Sequence, residues 1–244
     1  MSDLQIFEDQ RTTILAAANH IRNVAVQSIE SNGRFSIALA GGSTPKAVYE
    51  LLAAESYSQQ IAWENIYIFW GDERCVPPDH EDSNFRMAHE ALLSQVSIPL
   101  ENIFRMQGDI DPAQAAAEYE QQLRTFFDKD TLPHFDLILL GMGDDAHTAS
   151  LFPETAPIHE ETRWVVAHFV DKLNTWRITL TPVVINAAAQ VTFLVIGDKK
   201  AQPLKQVLEG KYHPDKFPSQ IVSPINGQLT WLVDQSAAKF LDNK

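Results

Sequence analysis

The clearest helical periodicity in the chain lies over residues 10–31, where apolar side chains recur every three or four positions and fall on one face. These apolar positions are Ile14, Ala18, Ile21, Ala25 and Ile29. Asn32 and Gly33 follow and provide a helix stop. Similar patterns and start signals predict further helices. One begins at Pro45, and the others extend over residues 83–93, 113–127 and 199–209.

Short apolar runs separate these helices, and such runs between turn residues are typical of buried strands. The clearest runs cover residues 35–40, 66–70, 135–140 and 191–196, and weaker ones cover 164–170, 177–180 and 229–233. Strands that alternate with helices in this way predict an α/β fold with an open, mostly parallel sheet and helices on both faces. Because no repeat, low-complexity tract or Gly/Ser linker interrupts the pattern, we expect residues 1–244 to form a single domain.

Composition and charge restrict the partners of the chain. The formal net charge of −13, without a visible Lys/Arg cluster, argues against nucleic acid, whose phosphate backbone requires a basic face. No apolar run approaches the roughly 20 residues that span a bilayer, and the N-terminus lacks a basic segment followed by an apolar core. We therefore expect a soluble, unexported protein with no membrane partner. The single cysteine, Cys75, is expected to pack as a small apolar residue. A chain with one cysteine cannot form an internal disulfide, which fits a reducing cytoplasm.

A segment after the run at residues 135–140 places a histidine where a buried strand ends. It reads Gly-Met-Gly-Asp-Asp-Ala-His-Thr-Ala-Ser-Leu-Phe-Pro over residues 141–153. Ligands of open α/β sheets bind at the carboxyl ends of the strands, so His147 is the first candidate for chemistry. Asp145 lies two positions earlier and could hold the imidazole in one tautomer, as a general base requires. The alternative is that His147 opens a helix and that Asp145 is its cap.

A second polar segment connects a predicted strand to a predicted helix, where Gly41, Gly42, Ser43 and Thr44 precede Pro45. Its glycines allow a ligand to approach the backbone, and its hydroxyls, amide N–H groups and helix N-terminus suit a phosphate group. The segment is neither the dinucleotide fingerprint nor the Walker loop, because the third glycine and the Gly-Lys-Ser/Thr ending are missing. The alternative is an ordinary turn with a Ser or Thr helix cap.

Three charged residues, Asp72, Glu73 and Arg74, follow the run at residues 66–70. Because an unpaired charge is costly to bury, these side chains must face a solvated cleft or pair with one another. Arg74 could bind a phosphate or carboxylate group through two hydrogen bonds. The alternative is a structural ion pair between Arg74 and one of the acids.

Other polar residues are candidates for the same cleft. Asn84 and Arg86 lie at the start of a predicted helix that Ser83 could cap, and the alternative is a capped helix with an exposed arginine. Lys200 follows another strand at the same sheet edge, although a lysine there is often only solvated. The histidines other than His147 show no ligand spacing, so we predict no metal site. The absence of a Gly-x-Ser-x-Gly elbow disfavours a serine hydrolase.

These motifs occur in a characteristic order along the chain. The order is Gly41-Gly-Ser-Thr-Pro45, Gly71-Asp-Glu-Arg74, Ser83-Asn84 and the segment Gly141 to Pro153. In this combination the chain resembles the 6-phosphogluconolactonases, a family related to aminosugar-phosphate deaminases and isomerases. The resemblance implies a modified Rossmann-like fold. The resemblance runs nearly from end to end. One departure is Ala146, where the family commonly has glycine; if the position needs a positive φ, alanine adds strain of about 1 kcal/mol.

The resemblance implies hydrolysis of 6-phospho-D-glucono-1,5-lactone to 6-phospho-D-gluconate in the oxidative pentose phosphate pathway, with neither a metal nor an organic cofactor. His147 would activate water while Asp145 orients its ring. The remaining implied site residues bind the substrate. The phosphate would rest on Gly41, Gly42, Ser43 and Thr44, with Arg74 and Lys200 as its cations. Asn84 and Arg86 would bind sugar hydroxyls or close the cleft, and Asp72 is a further substrate-binding residue.

Two other functions remain alternatives at this point. The related deaminases and isomerases carry a glutamate where this chain has Phe152. Ring opening and isomerisation need more proton transfer than lactone hydrolysis, so Phe152 favours the lactonase. A non-catalytic sugar-phosphate sensor could keep the glycine loop and the cations, but it would have little need for Asp145 beside His147.

Overall fold

A computed structural model of the protein describes residues 2–128 and 131–242. Within these ranges the strands are β1 (Asp3–Phe7), β2 (Phe35–Leu39), β3 (Ile66–Trp70), β4 (Asp72–Arg74), β5 (Leu137–Gly141), β6 (Val165–Val170), β7 (Thr175–Leu180), β8 (Gln190–Val195) and β9 (Gln228–Asp234). The α-helices are α1 (Gln10–Asn32), α2 (Ser43–Ala53), α3 (Glu55–Ser58), α4 (Asn84–Ala88), α5 (Pro112–Phe127), α6 (Pro182–Ile185) and α7 (Ala201–Glu209). A π-helical turn (His89–Leu93) follows α4, and 3₁₀ turns include Asp171–Leu173 and Asp198–Lys200.

The ends of the longest helix follow from local chemistry. Asp9 and Thr12 form a capping box at the start of α1, in which each side chain accepts a hydrogen bond from the other residue's backbone N–H. Gly33 ends the helix in the left-handed region, with φ 74°, and its N–H donates to the carbonyl oxygen of Ile29. The stop predicted at Asn32 and Gly33 is therefore confirmed.

Six strands form a parallel sheet in the order β1-β9-β8-β5-β2-β3. Alternate residues of β5 enter opposite cores: Leu137 and Leu139 pack with buried residues of α1 and α2, whereas Ile138 and Leu140 pack with those of α5. Helices thus cover both faces, which explains why the central strands read as continuous apolar runs. The predicted α/β class with a mostly parallel sheet is confirmed.

A smaller antiparallel sheet in the order β4-β7-β6 stands beside the main one. Its strands β6 and β7 match the weaker apolar runs at residues 164–170 and 177–180, but β4 was not predicted. Its residues, Asp72 to Arg74, have low strand propensity and become extended because they pair with Thr179, Ile178 and Arg177 of β7. None of the helices among the described residues is both long and apolar enough to cross a bilayer.

The site-forming feature of the sheet is the boundary between β2 and β5. From β2 the chain proceeds to β3 on one side, and β5 is inserted on the other, so the order of strands reverses there. The two strands pair only through Ile37 with Leu137 and Ala38 with Ile138. Open α/β sheets bind ligands in the crevice at the carboxyl ends of strands that flank such a reversal.

Candidate active site

A cleft of about 310 Å³ opens at this boundary, a volume in the range of small-molecule sites. Loops after β2, β3 and β5 form its walls, together with β7 and the turn that leads into α7. Seven of the predicted site residues line it: Gly41, Gly42, Asp72, Arg74, Asn84, His147 and Lys200. The structure thus brings together residues that are up to 159 positions apart in the sequence, from Gly41 to Lys200.

Asp145 and His147 form a close pair on the loop after β5. Nδ1 of His147 lies 2.6 Å from Oδ1 of Asp145, and the His147 ring stacks on Phe152 with centroids 4.2 Å apart. Residues 142–155 contain no helix, so the alternative in which Asp145 caps a helix at His147 is wrong. Asp145 itself is not part of the cleft wall and acts on the cleft only through His147.

The charge of Asp145 determines the tautomer of His147. Burial opposes ionisation of Asp145, but hydrogen bonds from His147 and Lys172 outweigh that effect and hold the pKa of its carboxyl well below the ordinary value. An ionised carboxylate only accepts hydrogen bonds, so the proton of the neutral ring resides on Nδ1. Nε2 is then left with a free lone pair, which is the arrangement of a general base.

Two backbone positions make this pair possible. A β-carbon on Gly143 would lie 2.1 Å from Nδ1 of His147, so only glycine fits beneath the ring. Ala146 has φ 62°, which confirms that the position needs a positive φ. Its carbonyl oxygen accepts hydrogen bonds from the N–H of Ser219 at 3.0 Å and from Oγ of Ser219 at 2.8 Å. These bonds hold the strained turn in place.

The glycine loop presents its backbone to the cleft. Gly42 has φ 102° and precedes α2, and no side chain caps the first turn of that helix. The predicted alternative of a Ser or Thr cap is therefore wrong. Ser43 and Thr44 are the first two residues of α2 and do not line the cleft wall, which is formed by Gly41 and Gly42.

Asn84 links the glycine loop to the acidic segment. Its Nδ2 donates to the backbone oxygen of Asp72 at 2.9 Å, and its side chain occupies the space where a β-carbon of Gly41 would lie. Oδ2 of Asp72 accepts a hydrogen bond from Oγ of Ser150 at 2.6 Å. Asp72 and Asn84 are both almost fully buried, so the protein fixes their orientation before any ligand arrives.

Glu73 fixes the backbone of Asn84 through a hydrogen bond to its carboxylate. Its carboxylate accepts hydrogen bonds from the backbone N–H groups of Arg74, Asn84 and Phe85 at 2.7 to 2.8 Å, and from Oγ of Ser83 at 3.1 Å. Burial raises the pKa of Glu73, although these backbone N–H groups favour its ionised form. The side chain therefore caps α4 and is not a member of the cleft wall.

Two arginines are neighbours on adjacent strands of the small sheet. Arg74 and Arg177 are paired in register on β4 and β7, and both line the cleft. Nε of Arg74 and Nε and Nη1 of Arg177 are buried without a hydrogen-bond partner. Burial, together with the charge of Arg74, lowers the pKa of Arg177. Like charges directly opposite on paired strands are destabilising. An anion bound between Arg74 and Arg177 would offset the repulsion between the two guanidinium groups.

Arg74 does not form the ion pair that was its alternative. Among the described residues, no carboxylate lies within salt-bridge distance of it, and its Nη1 donates instead to the backbone oxygen of Asp82. Lys200 is held 2.5 Å from Oδ1 of Asp144, a carboxylate that is 58% exposed. An exposed partner of this kind can be exchanged for a ligand anion at little cost.

Arg86 was predicted to lie in the cleft, and the structure places it elsewhere. Its Nε lies 2.7 Å from Oε1 of Glu90, and its Nη1 donates to the backbone oxygen of Asp79, so the guanidinium stays on the surface of α4 and does not line the cleft. Oγ of Ser83 accepts the N–H of Arg86 and caps the helix. The alternative of a capped helix with an exposed arginine is therefore the right one for Arg86.

Arg177 lines the cleft but was not among the predicted site residues, and His168 contacts a residue of the cleft wall without lining the cleft itself. The signal for Arg177 was a charge inside an otherwise uncharged strand. Nε2 of His168 donates to the backbone oxygen of Ser150, the residue that binds Asp72, and burial lowers the pKa of His168. Nothing in the spacing of the sequence connects His168 to that segment. In residues 2–128 and 131–242, no group of three or more His, Cys, Asp or Glu side chains is arranged to hold a metal ion.

Comparison with known proteins gives a consistent result. A family model described as glucosamine-6-phosphate isomerases/6-phosphogluconolactonase matches residues 8–231. A 6-phosphogluconolactonase of Nostoc sp. is 44% identical over 96% of each chain, and one of Synechocystis sp. is 44% identical over 88% of each. The solved structure of 6-phosphogluconolactonase from Trypanosoma brucei superposes with a TM-score of 0.87 at 29% identity, covering 99% of both chains.

Proposed function

The chain belongs to the glucosamine-6-phosphate isomerase/6-phosphogluconolactonase family, and from this premise we propose that it hydrolyses 6-phospho-D-glucono-1,5-lactone to 6-phospho-D-gluconate. This is the lactone-hydrolysing step of the pentose phosphate pathway. The single observation that carries the proposed mechanism is the 2.6 Å contact between Asp145 and Nδ1 of His147, which leaves Nε2 available as a base at the cleft.

In the proposed reaction, Nε2 of His147 takes a proton from water, and the resulting hydroxide attacks C1 of the lactone. The carbonyl electrons move to the exocyclic oxygen, and backbone N–H groups of the loops are the candidates to stabilise that charge. When the tetrahedral intermediate collapses, the bond between C1 and the ring oxygen breaks, and the imidazolium returns its proton to the ring oxygen. Asp145 remains ionised throughout and stabilises the imidazolium.

The cations of the cleft support a phosphate-bearing substrate. The chain carries a formal net charge of −13, so an anion must be attracted by cations concentrated at the site. Arg74, Arg177 and Lys200 all line the cleft, and the uncapped start of α2 adds the positive end of a helix. We assign the 6-phosphate to these groups, with Ser43 and Thr44 contributing from the first turn of α2. Asp72 and Asn84 are assigned to the sugar hydroxyls.

Phe152 supports hydrolysis over the isomerase and deaminase chemistry of the same family. It is 6% exposed and stacks on His147, so an apolar ring occupies the place where those relatives carry a glutamate. A ring at this position can hold the imidazole but cannot transfer a proton. Lactone hydrolysis needs only one base and a water molecule, whereas ring opening and isomerisation need further proton carriers.

The proposed single domain is supported by the core. Ile178 and Leu180 of the small sheet are buried in the same cluster as Ile138 and Leu140 of the main sheet. The two sheets therefore share apolar packing, which favours one domain over two units with separate cores.

The test is an assay on lactone generated freshly from glucose 6-phosphate, scored against spontaneous hydrolysis in the same buffer. The proposal expects the purified protein to accelerate hydrolysis strongly and to release no ammonia from glucosamine 6-phosphate. Binding of 6-phosphogluconate without acceleration would identify a sensor. Ammonia release would identify a deaminase instead.

A further inference from the structure

The crevice between β2 and β5 raises the question of how the end of β2 is held. Alternate residues of a strand direct their backbone groups to the same neighbour, so Ala40 faces the same side as Ala38, which pairs with Ile138. At Ala40, however, β5 has already diverged to form the cleft. A buried backbone N–H and C=O in such a place each need a partner.

A tyrosine supplies both partners. The hydroxyl of Tyr49 accepts a hydrogen bond from the N–H of Ala40 at 3.0 Å and donates one to the carbonyl oxygen of the same residue at 2.9 Å. Tyr49 is completely buried, and burial raises the pKa of its hydroxyl far above the ordinary value. The hydroxyl therefore stays protonated at neutral pH, where it donates one of these bonds and accepts the other.

Ala40, the residue bonded to Tyr49, lies directly before the glycine loop. Gly41 and Gly42 follow Ala40 and line the cleft, and α2 then carries the chain back to Tyr49. We propose that Tyr49 is a positioning residue for phosphate binding, replacing the absent neighbour strand and fixing Gly41, Gly42 and the start of α2. This inference rests on the proposed function, because it concerns the same cleft.

A second tyrosine provides a matched comparison. The hydroxyl of Tyr119 accepts the N–H of Trp70 at 2.9 Å and donates to its carbonyl oxygen at 3.1 Å, and Tyr119 is 1% exposed. Trp70 ends the edge strand β3, and the two residues that follow it, Gly71 and Asp72, also line the cleft. Beyond it the chain is held independently, because Leu180 donates its N–H to the carbonyl oxygen of Gly71 at 2.8 Å and β4 pairs with β7.

The experiment compares Tyr49→Phe with Tyr119→Phe. Each removes one hydroxyl and leaves one buried N–H and C=O unpaired, so both should lower the melting temperature by similar amounts. Only Tyr49→Phe should raise KM for the lactone, by about tenfold with kcat changed by less than about threefold, because the loop binds phosphate in the ground and transition states alike. Titration with inorganic phosphate should show the same selective weakening. Equal KM values for the two variants would overturn the proposal.

Two further outcomes are separated by measurements that do not need lactone turnover. If Tyr49→Phe fails to fold, amide hydrogen exchange in the unsubstituted protein decides: the Ala40 amide should exchange as slowly as the core amides of β2, and exchange at the rate of exposed loops would refute the role of Tyr49. If the unsubstituted protein does not hydrolyse the lactone, the proposed function fails. The inorganic phosphate titration of the two variants still tests Tyr49 in that case.

Discussion

A β-carbon on Gly143 would lie 2.1 Å from Nδ1 of His147, well inside van der Waals contact. The imidazole of His147, the proposed general base, therefore lies directly against a backbone that has room for a hydrogen atom only. This relationship explains a glycine that has no positive φ to justify it, and it makes Gly143 a sensitive probe of the catalytic geometry.

Gly143→Ala should lower kcat by on the order of 10²-fold, because the added methyl group must displace the His147 ring by an ångström or more. Far-UV circular dichroism should remain unchanged, since the clash is with a side chain on a loop. Gly141→Ala is the matched control: Gly141 also lines the cleft, but a β-carbon there meets no protein atom within 4 Å, so KM can change while kcat should stay within about fivefold of the original. Equal losses in both variants would show that the His147 position is not what matters.

His147→Ala should lower kcat by about 10²- to 10⁴-fold, the usual contribution of a general base. The dissociation constant for 6-phosphogluconate should change little, because the assigned phosphate ligands are elsewhere in the cleft. Steady-state kinetics and calorimetric titration of the product measure the two effects. An active His147→Ala variant would remove the residue from the mechanism.

The architecture is largely readable from the sequence because buried parallel strands have a strong signature. Ile66–Trp70 was predicted without error, and β2, β5 and β8 were predicted to within two residues. The strand β4 was not, because Asp72 to Arg74 become extended only through pairing with β7, about 100 residues later. The π-helical turn at His89–Leu93 was likewise read as part of one α-helix, since both share a similar apolar spacing.

The site divides in the same way. His147 and the glycine loop follow strands in sequence, so the rule for open sheets places them at the cleft, with Asp145 behind His147. Arg177 was not predicted there, because its position depends on its antiparallel register with Arg74. Arg86 was wrongly drawn into the cleft, because nothing in the sequence shows that its guanidinium pairs with Glu90 one helical turn away.

Arg177→Met should weaken binding of the lactone and increase the stability of the protein. It removes a cation assigned to phosphate, so KM for the lactone should rise by at least about tenfold. It also removes one of two opposed like charges, so the free energy of unfolding in phosphate-free buffer should increase by up to about 1 kcal/mol. Urea denaturation and steady-state kinetics measure the two changes.

Arg86→Met is the control for that experiment, since Arg86 lies on the surface of α4 and pairs with Glu90. It should leave KM within about twofold of the original and change stability little, because an exposed ion pair contributes little to folding. If Arg177→Met also left KM unchanged, the phosphate would have to be reassigned to other groups.

Cys75 should react slowly with thiol reagents. Burial, only partly offset by Arg177, raises the pKa of the thiol to about 11. The thiolate fraction at pH 8 is then on the order of 10² below that of free cysteine, although a more basic thiolate is more nucleophilic and recovers part of the rate. We expect a rate with iodoacetamide about tenfold or more below that of free cysteine, rising steeply between pH 8 and 10. A native rate equal to that of the urea-unfolded chain would contradict this.

Ala146→Gly should not stabilise the protein, even though Ala146 has φ 62°. Relief of left-handed strain would contribute about 1 kcal/mol. The alanine methyl group is completely buried, however, and its loss costs about 0.8 kcal/mol, while glycine adds roughly 0.5 kcal/mol or more of chain entropy in the unfolded state. The balance predicts a change in the free energy of unfolding between zero and a loss of about 1 kcal/mol.

Glu154→Gly isolates the methyl contribution, because Glu154 has φ 60° but an exposed side chain. The same relief of strain is then offset only by chain entropy, so this variant should be more stable than Ala146→Gly by about 0.8 kcal/mol. Urea denaturation of the two variants gives the difference directly. A gain in stability for Ala146→Gly that matches or exceeds that of Glu154→Gly would mean that packing does not explain why this chain tolerates alanine at the turn before His147.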